Sequence, residues 1–168
     1  MIYTNLKSPL GDVTASAEKE AITGLWFVGQ KYYPSDKGTW TYEPGHPMFI
    51  KLRQWLEEYF AGKGDIALPE LEPKGTAFQK AVWEILLEIP YGCVTTYGEI
   101  AKKLATIKGL NSMSAQAVGG AVGHNPISIL IPCHRVVGAN GSLTGYAGGL
   151  EKKKALLHLE QADFTCRR

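Results

Sequence analysis

The sequence predicts an α+β protein, in which a small antiparallel sheet with a helix precedes a mostly helical, winged-helix-like domain containing a helix-turn-helix. Three observations support this fold class. The first 30 residues alternate apolar and polar side chains, large apolar residues follow a helical spacing after Pro47, and two short helical segments flank a connection with Gly109 and Asn111. We expect a support domain over residues 1–73 and a second domain over residues 74–168.

The support domain shows no pattern that indicates chemistry. Its alternating runs over residues 12–17 and 22–28 are separated by turn residues, which predicts an antiparallel meander. Residues 31–47 are rich in Tyr, Pro and Gly, and we expect a loop there. The helix that begins at Pro47 carries a stripe of aromatic residues, and Gly62 follows its predicted end. Such a stripe is typical of a core rather than of a cofactor site.

The second domain begins at Thr76, a candidate N-cap for an apolar helix that ends before Pro90. Residues 93–97 form a short extended stretch, and a helix is predicted over residues 98–105. A connection over residues 106–113 then leads to the second helix of the helix-turn-helix.

This second helix, predicted over residues 115–122 with Ser112 or Ser114 as its cap, has almost no side-chain bulk. Each interior Gly costs a helix about 1 kcal/mol relative to Ala. Small residues allow another backbone to come very close. The pattern therefore fits either tight packing against a neighbouring helix or a helix that presses into a nucleic-acid groove.

Charge is distributed unevenly along the 168-residue chain, whose net charge is +2. Residues 1–73 carry 7 Lys and Arg against 10 Asp and Glu, whereas residues 74–168 carry 11 against 6. The basic second half suits a polyanionic partner. No run approaches the ~20 apolar residues of a membrane span, and residues 1–5 lack the features of a secretory leader.

The three cysteines are Cys93, Cys133 and Cys166, an odd number without any Cys-x-x-Cys pair. This arrangement argues against a disulfide framework and against a zinc knot. We therefore expect a reducing, cytoplasmic location and assign Cys93 and Cys166 no chemical role.

The stretch 129–137 is the most informative in the chain. Four of its nine residues are β-branched, which predicts a short buried strand, and Pro132, Cys133 and His134 interrupt it. Pro132 cannot donate to a ladder and so marks an edge, a bulge or the mouth of a site. A thiol becomes a nucleophile as thiolate, and a basic neighbour favours that form. Cys133 and His134 are therefore a candidate nucleophile and base.

The motif Pro-Cys-His-Arg-Val over residues 132–136, preceded by Asn125-Pro126 and followed by Gly145-Tyr146-Ala147-Gly148-Gly149-Leu150, resembles the O6-alkylguanine-DNA alkyltransferase family. The resemblance runs from about Phe78 to Glu160. It implies a single-turnover methylated-DNA–protein-cysteine S-methyltransferase, a monomer that transfers an alkyl group from O6-alkylguanine in double-stranded DNA to Cys133 without a cofactor. O4-alkylthymine is a further possible substrate. Some relatives bind zinc, but no cysteine precedes Cys93 here, so no zinc site is expected.

The resemblance also implies catalytic roles. Cys133 would be the nucleophile, His134 would remove its proton through a bridging water, and Glu160 would orient the imidazole. Asn125 would brace the turn ahead of the motif. Tyr97 would donate to N3 of the guanine as negative charge develops on it.

Substrate contacts follow from the same resemblance. The Val136 carbonyl and the Ala147 N–H would read the guanine edge, and Tyr146, in the closing loop over residues 138–149, would stack near the alkyl group. The family usually has Ser at position 147. The target nucleotide would be flipped out through the minor groove, and the small-residue helix would supply the DNA contacts. These DNA contacts are Ala115, Gln116 and Gly119, and Gln116 replaces an arginine usual in the family.

Other functions compete with this interpretation. A thiol hydrolase usually takes its Cys and His from distant parts of the chain, and a zinc deaminase needs Cys-x-x-Cys and His-x-Glu, which this sequence lacks. A non-catalytic sensor of alkylated DNA is a third possibility. Alkyltransferase-like sensors lack the motif cysteine, whereas Cys133 is present here.

Overall fold

The computed structural model describes residues 1–166 and separates into two compact units. The first comprises Met1–Lys74 together with Pro126–Leu130. The second comprises Gly75–Asn125 and the chain from Ile131 onward. The α+β fold class is confirmed, with a small sheet and a helix in the first unit and a mostly helical second unit.

The sheet of the first unit contains β1 (Ile2–Leu6), β2 (Val13–Glu18) and β3 (Ala21–Phe27), which pair antiparallel as the alternation predicts. A fourth strand, β4 (Thr41–Tyr42), pairs parallel with β1, giving the order β3-β2-β1-β4. The expected loop over residues 31–47 is thus partly regular, since it also holds a 3-10 turn, Lys37–Thr39.

Helix α1 (Pro47–Phe60) packs against β2 and buries an apolar face that includes Phe49, Leu52 and Tyr59. Pro47 occupies its first turn, and the ring of His46 caps it by accepting a hydrogen bond from the Met48 N–H. The predicted start is therefore confirmed, and the aromatic stripe is core.

Residues 126–130 add a short extended segment to the edge of β3 in the first unit. The Leu25 N–H donates to the Pro126 carbonyl at 2.8 Å, and the Ser128 N–H donates to the Leu25 carbonyl at 2.9 Å. Ile127 and Ile129 are both buried there. Ile129 has φ of 71°, an unusual value for a β-branched residue, and it turns the chain just ahead of the cysteine motif.

Four helices form the second unit: α2 (Ala77–Leu87), α3 (Tyr97–Lys108), α4 (Ala115–Gly123) and α5 (Leu150–Leu159). Two short strands, β5 (Thr95–Thr96) and β6 (Val136–Val137), pair in parallel. Thr76 caps α2 through a capping box with Gln79, as the sequence predicts.

The boundaries of the helix-turn-helix differ from the prediction. Helix α3 starts at Tyr97 because the Thr96 hydroxyl caps it, and it continues three residues beyond the predicted end to Lys108. Gly109, at φ 68°, then ends the helix in the left-handed conformation. Of the two candidate caps for α4, Ser114 is the one that accepts a hydrogen bond, from the Ala117 N–H.

Cys93 and Cys166 form a disulfide, so the expectation against disulfide bonding was wrong. Their Cα atoms lie 4.9 Å apart although 73 positions separate them. Main-chain hydrogen bonds bring the two segments together, because the Val94 N–H donates to the Cys166 carbonyl and the Asp163 N–H donates to the Gly92 carbonyl. Spacing along the sequence carries no signal for such a non-local pair.

Within residues 1–166, no helix combines the length and the apolar character needed to cross a membrane.

Candidate active site

Cys133 lies on a 3-10 turn, Cys133–Arg135, and not within a strand as the β-branched pattern predicted. The pattern was misleading because its two isoleucines are both buried but belong to different units, Ile129 to the first and Ile131 to the second. Strand β6 begins only at Val136. The turn leaves the Cys133 side chain 6% exposed, with Pro132 immediately before it.

Asn125 holds the approach to this turn. Its side-chain amide donates to the Ile131 carbonyl at 2.8 Å, and Asn125 is itself buried. Burial raises the pKa of the Cys133 thiol, while a hydrogen bond from Asn125 and the charge of Lys153 act in the opposite direction. The net shift is upward, so the resting residue is a thiol and needs a base to become a nucleophile.

His134 has the geometry of such a base. Its Nε2 lies 2.7 Å from Glu160 Oε2, and neither side chain is exposed to solvent. Burial lowers the pKa of His134, although Glu160 opposes this effect, so the resting imidazole is neutral. Because the carboxylate can only accept, the proton sits on Nε2 and Nδ1 remains an acceptor. No side-chain or main-chain group of residues 1–166 hydrogen-bonds this Nδ1 atom.

Arg135 completes the hydrogen bonding of Glu160 and was not among the predicted site residues. Its Nε donates to Oε1 at 2.8 Å, its Nη2 to Oε2 at 3.0 Å, and its Nη1 to the Ile89 carbonyl at 2.7 Å. Burial would raise the pKa of Glu160, but interaction with His134, the hydrogen bonds of Arg135 and the Arg135 charge outweigh it and hold the pKa below its usual range. Arginine is always charged, so Glu160 is an anion. The position of Arg135 within the motif is the signal that could have identified it.

Tyr97 opens α3 directly after β5, and the pairing of Thr96 with Val137 places it beside β6. The Thr144 hydroxyl donates to the Tyr97 hydroxyl at 3.3 Å, which links α3 to the segment over residues 138–149. On the other side, a Cβ at Gly119 would lie 3.7 Å from the Tyr97 ring, so α4 also borders this phenol. Tyr97 thus connects the helix-turn-helix to the segment that follows the cysteine motif.

The segment over residues 138–149 carries Tyr146 and Ala147, both partly buried. Its turns are closed by main-chain hydrogen bonds from Gly138 to Ser142 and from Gly149 to Tyr146. Lys153, which sequence reasoning missed, also contacts this segment and β6 through its ammonium group.

Helix α4 buries one apolar face and exposes the other. Val118, Ala121 and Val122 are buried, and the Trp83 indole donates to the Ala121 carbonyl at 2.9 Å. Ala115 and Gln116 are exposed, and Gly119 is partly exposed. Packing against α2 and α3 therefore accounts for one face of this helix, while the other presents backbone and Gln116 to solvent.

Asn125 hydrogen-bonds the Cys133 thiol, and His134 pairs with Glu160. The adjacent positions of Cys133 and His134 bring these two pairs onto one turn, and β5 and β6 connect Tyr97 and Val136 to the same region. The predicted DNA contacts lie instead on the exposed face of α4. The fold and site thus define a protein with a buried free cysteine, a candidate nucleophile, on a helix-turn-helix domain.

Comparison with known proteins identifies the family. Residues 77–162 match the 6-O-methylguanine DNA methyltransferase DNA-binding domain, and residues 1–69 match the ribonuclease-like domain of the same proteins. The chain belongs to the 6-O-methylguanine DNA methyltransferase family. It is 43% identical to a methylated-DNA–protein-cysteine methyltransferase of Haemophilus influenzae over 98% of this chain and 88% of that protein.

Solved structures agree with this assignment. The Mycobacterium tuberculosis OGT in complex with DNA has a TM-score of 0.84 at 43% identity, covering 96% of this chain and 93% of that chain. An O6-methylguanine DNA methyltransferase from Methanococcus jannaschii has a TM-score of 0.62 at 27% identity, covering 95% and 94%.

Proposed function

We propose that this protein repairs DNA by moving the alkyl group of O6-alkylguanine onto Cys133 in one direct, irreversible transfer. The observation that carries the proposal is a buried thiol followed in the chain by a neutral imidazole whose Nε2 is held by an anionic carboxylate. That arrangement can generate a thiolate without a metal ligand or cofactor. The reaction consumes the nucleophile, because regeneration would have to break the S–C bond of the thioether product, and a thiolate is a poor leaving group from an alkyl carbon.

The transfer starts with deprotonation. His134 Nδ1 takes the Cys133 proton through a water molecule, and Glu160 stabilises the resulting imidazolium. The thiolate then attacks the alkyl carbon in line with the bond to O6. The S–C bond forms, the C–O6 bond breaks, and its electron pair stays with guanine, which takes up a proton.

The leaving guanine must be stabilised while it carries negative charge. Tyr97, which lies beside α4 and the segment 138–149, would donate its phenolic proton towards N3. Val136 would accept from the guanine edge through its carbonyl, and Ala147 would donate through its N–H. Replacement of the usual Ser by Ala147 should matter little, because the contact is made by the backbone. Tyr146 would lie beside the alkyl group.

Base flipping is required because the O6 substituent is inaccessible in a stacked duplex. We assign the DNA contact to the exposed face of α4, where Ala115, Gln116 and Gly119 let the helix backbone approach the minor groove. Gln116 would fill the space left by the flipped base with a neutral side chain. The protein would act on double-stranded DNA as a monomer, with O4-alkylthymine as a second substrate.

Intact-protein mass spectrometry tests this function. Incubation with a duplex that carries one O6-methylguanine should add one methyl group per protein, and peptide mapping should place it on Cys133. A Cys133→Ser variant and an unmodified duplex should each leave the mass unchanged. An unchanged wild-type mass with tight binding of the modified duplex would identify a sensor, and no binding at all would refute the assignment.

A further inference from the structure

Lys153 is the middle residue of a Lys152-Lys153-Lys154 run in α5, yet its side chain is completely buried. Lysine is almost never fully buried unless its charge is paired. Its neighbour Lys154 is 58% exposed in the side chain and belongs to a loose pair with Glu151. The burial of Lys153 is thus specific to that position.

The three donors of the ammonium group meet three main-chain carbonyls. Lys153 Nζ lies 2.6 Å from the Val136 oxygen, 2.9 Å from the Thr144 oxygen and 3.2 Å from the Gly145 oxygen. Val136 lies in β6, directly after the cysteine turn, whereas Thr144 and Gly145 lie in the segment 138–149. One side chain therefore fastens that segment to the strand beside it.

This arrangement keeps the positive charge of Lys153 in a buried environment, where loss of solvation disfavours it. All three hydrogen-bond acceptors are neutral carbonyls, so none of them provides a counter-charge. Burial lowers the pKa of Lys153 to about 8, while the Cys133 sulfur acts in the opposite direction. The Lys153 charge in turn lowers the pKa of the thiol and of His134. The anion that this ammonium can stabilise is the Cys133 thiolate.

We propose that Lys153 is a positioning residue for alkyl transfer, whose ammonium holds the segment 138–149 on β6 and supplies positive charge that favours the Cys133 thiolate. The inference rests on the proposed function and deepens it. Lys153 takes no part in bond making or breaking, since the thiol proton still passes to His134. The titratable groups whose pKa values the ammonium affects are Cys133 and His134 on the 3-10 turn. Strand β6 consists of two valines, and Tyr146 is the one titratable side chain in the segment 138–149.

The test compares Lys153→Met with Lys153→Arg, and uses Lys154→Met as the matched control. For Lys153→Met, the rate of single-turnover methyl transfer at pH 7 should fall on the order of tenfold. The rising limb of its pH–rate profile should move to higher pH. Lys153→Arg restores the charge and should return that limb towards the wild-type position. Lys154→Met should match the wild type.

A second measurement reports on the segment itself. Amide hydrogen exchange over residues 138–149 should accelerate in Lys153→Met and not in Lys154→Met. The proposal would be overturned if Lys153→Met transferred the methyl group at the wild-type rate. It would also be overturned if Lys153→Met were slow, kept the wild-type pH profile and were not rescued by Lys153→Arg. If Lys153→Met does not fold, the pH–rate profiles of the wild type and Lys153→Arg test the proposal instead. Only the wild type should lose rate above pH about 8, because the guanidinium stays charged. Parallel profiles would then overturn the proposal.

Failure of the proposed function would look different. A wild-type protein that transfers no methyl group removes the repair assignment, whatever Lys153 does. The effect of Lys153 on the thiol can still be read from the pH dependence of Cys133 alkylation by iodoacetamide. All three cysteines lie within the described residues, and Cys133 is the free one among them, so intact mass reports that reaction alone. Identical iodoacetamide profiles for wild type and Lys153→Met would overturn the electrostatic role.

Discussion

His134 Nε2 lies 2.7 Å from Glu160 Oε2, although 26 positions separate the two residues and they belong to different elements. Glu160 directly follows α5, and Arg135 of the turn also binds it, so one carboxylate holds both His134 and the turn that carries Cys133. We therefore expect the proposed chemistry and the stability to depend on the same side chain.

Glu160→Gln should impair both properties. The amide keeps the shape but gives Arg135 and His134 no negative charge, so the transfer rate should fall on the order of a hundredfold. Loss of a buried ion-pair partner should lower the free energy of unfolding by roughly 3 kcal/mol. Single-turnover kinetics and urea unfolding measure the two effects. Glu151→Gln, at a side chain 92% exposed, is the control. A Glu160→Gln protein with wild-type kinetics would contradict the assigned role.

Acid should destabilise the protein through His134. Because burial lowers the pKa of His134 in the folded state, the unfolded chain binds more protons as the pH falls below about 6.5. The free energy of unfolding should therefore decrease between pH 7 and 5, by at most about 1.4 kcal/mol per pH unit from this group. Urea unfolding over that range should show a shallower slope for His134→Gln than for wild type or Gln54→Ala. Equal slopes would mean that His134 is not held neutral.

Gln116→Arg should bind DNA more tightly. Gln116 is exposed on α4, and an added cation there would neutralise one phosphate charge, steepening the salt dependence of log K by about 0.9. Fluorescence anisotropy with a modified duplex at several salt concentrations measures both quantities. Gln54→Arg, which adds the same charge on α1 in the first unit, controls for net charge. Equal affinities for Gln116→Arg and Gln54→Arg would remove α4 from the interface.

Reduction of the Cys93–Cys166 disulfide should destabilise the second unit. The cross-link spans 73 positions, and loop closure of that length is worth about 4 kcal/mol in the unfolded chain. Urea unfolding with and without dithiothreitol should differ for the wild type. A variant with both Cys93→Ser and Cys166→Ser should be insensitive to the reductant and as unstable as the reduced wild type. If dithiothreitol did not change the urea unfolding of the wild type, the result would contradict the Cys93–Cys166 pairing.

Local features of the fold could be predicted from the sequence. Pro47, Thr76 and Ser114 mark helix starts because capping depends on a few adjacent residues. Asn125 and Glu160, by contrast, joined the candidate site only through the family motif. No local pattern predicts that residues 125 and 160 meet the turn at residues 133–135.

The features that sequence reasoning missed all depend on distant contacts. Lys153 lies within a run of three lysines, which indicates a solvated face, and only the fold shows that its ammonium meets three carbonyls. Cys93 and Cys166 have no spacing that predicts their bond. The β-branched residues before Cys133 were assigned to one strand, because burial by a sheet edge and burial by a turn look alike in sequence.

The pairing of residues 126–130 with β3 has a consequence for any attempt to divide this protein into two separate halves. A fragment that starts at residue 75 would contain Cys133 and its partners, but it would also carry Ile127 and Ile129 without the strand edge that covers them. Those residues lie only a few positions ahead of the nucleophile. Exchanging the first 74 residues with those of a relative would therefore also change the surroundings of residues 126–130. Engineers who recombine such proteins should move residues 126–130 together with the amino-terminal half, because the two form one compact unit.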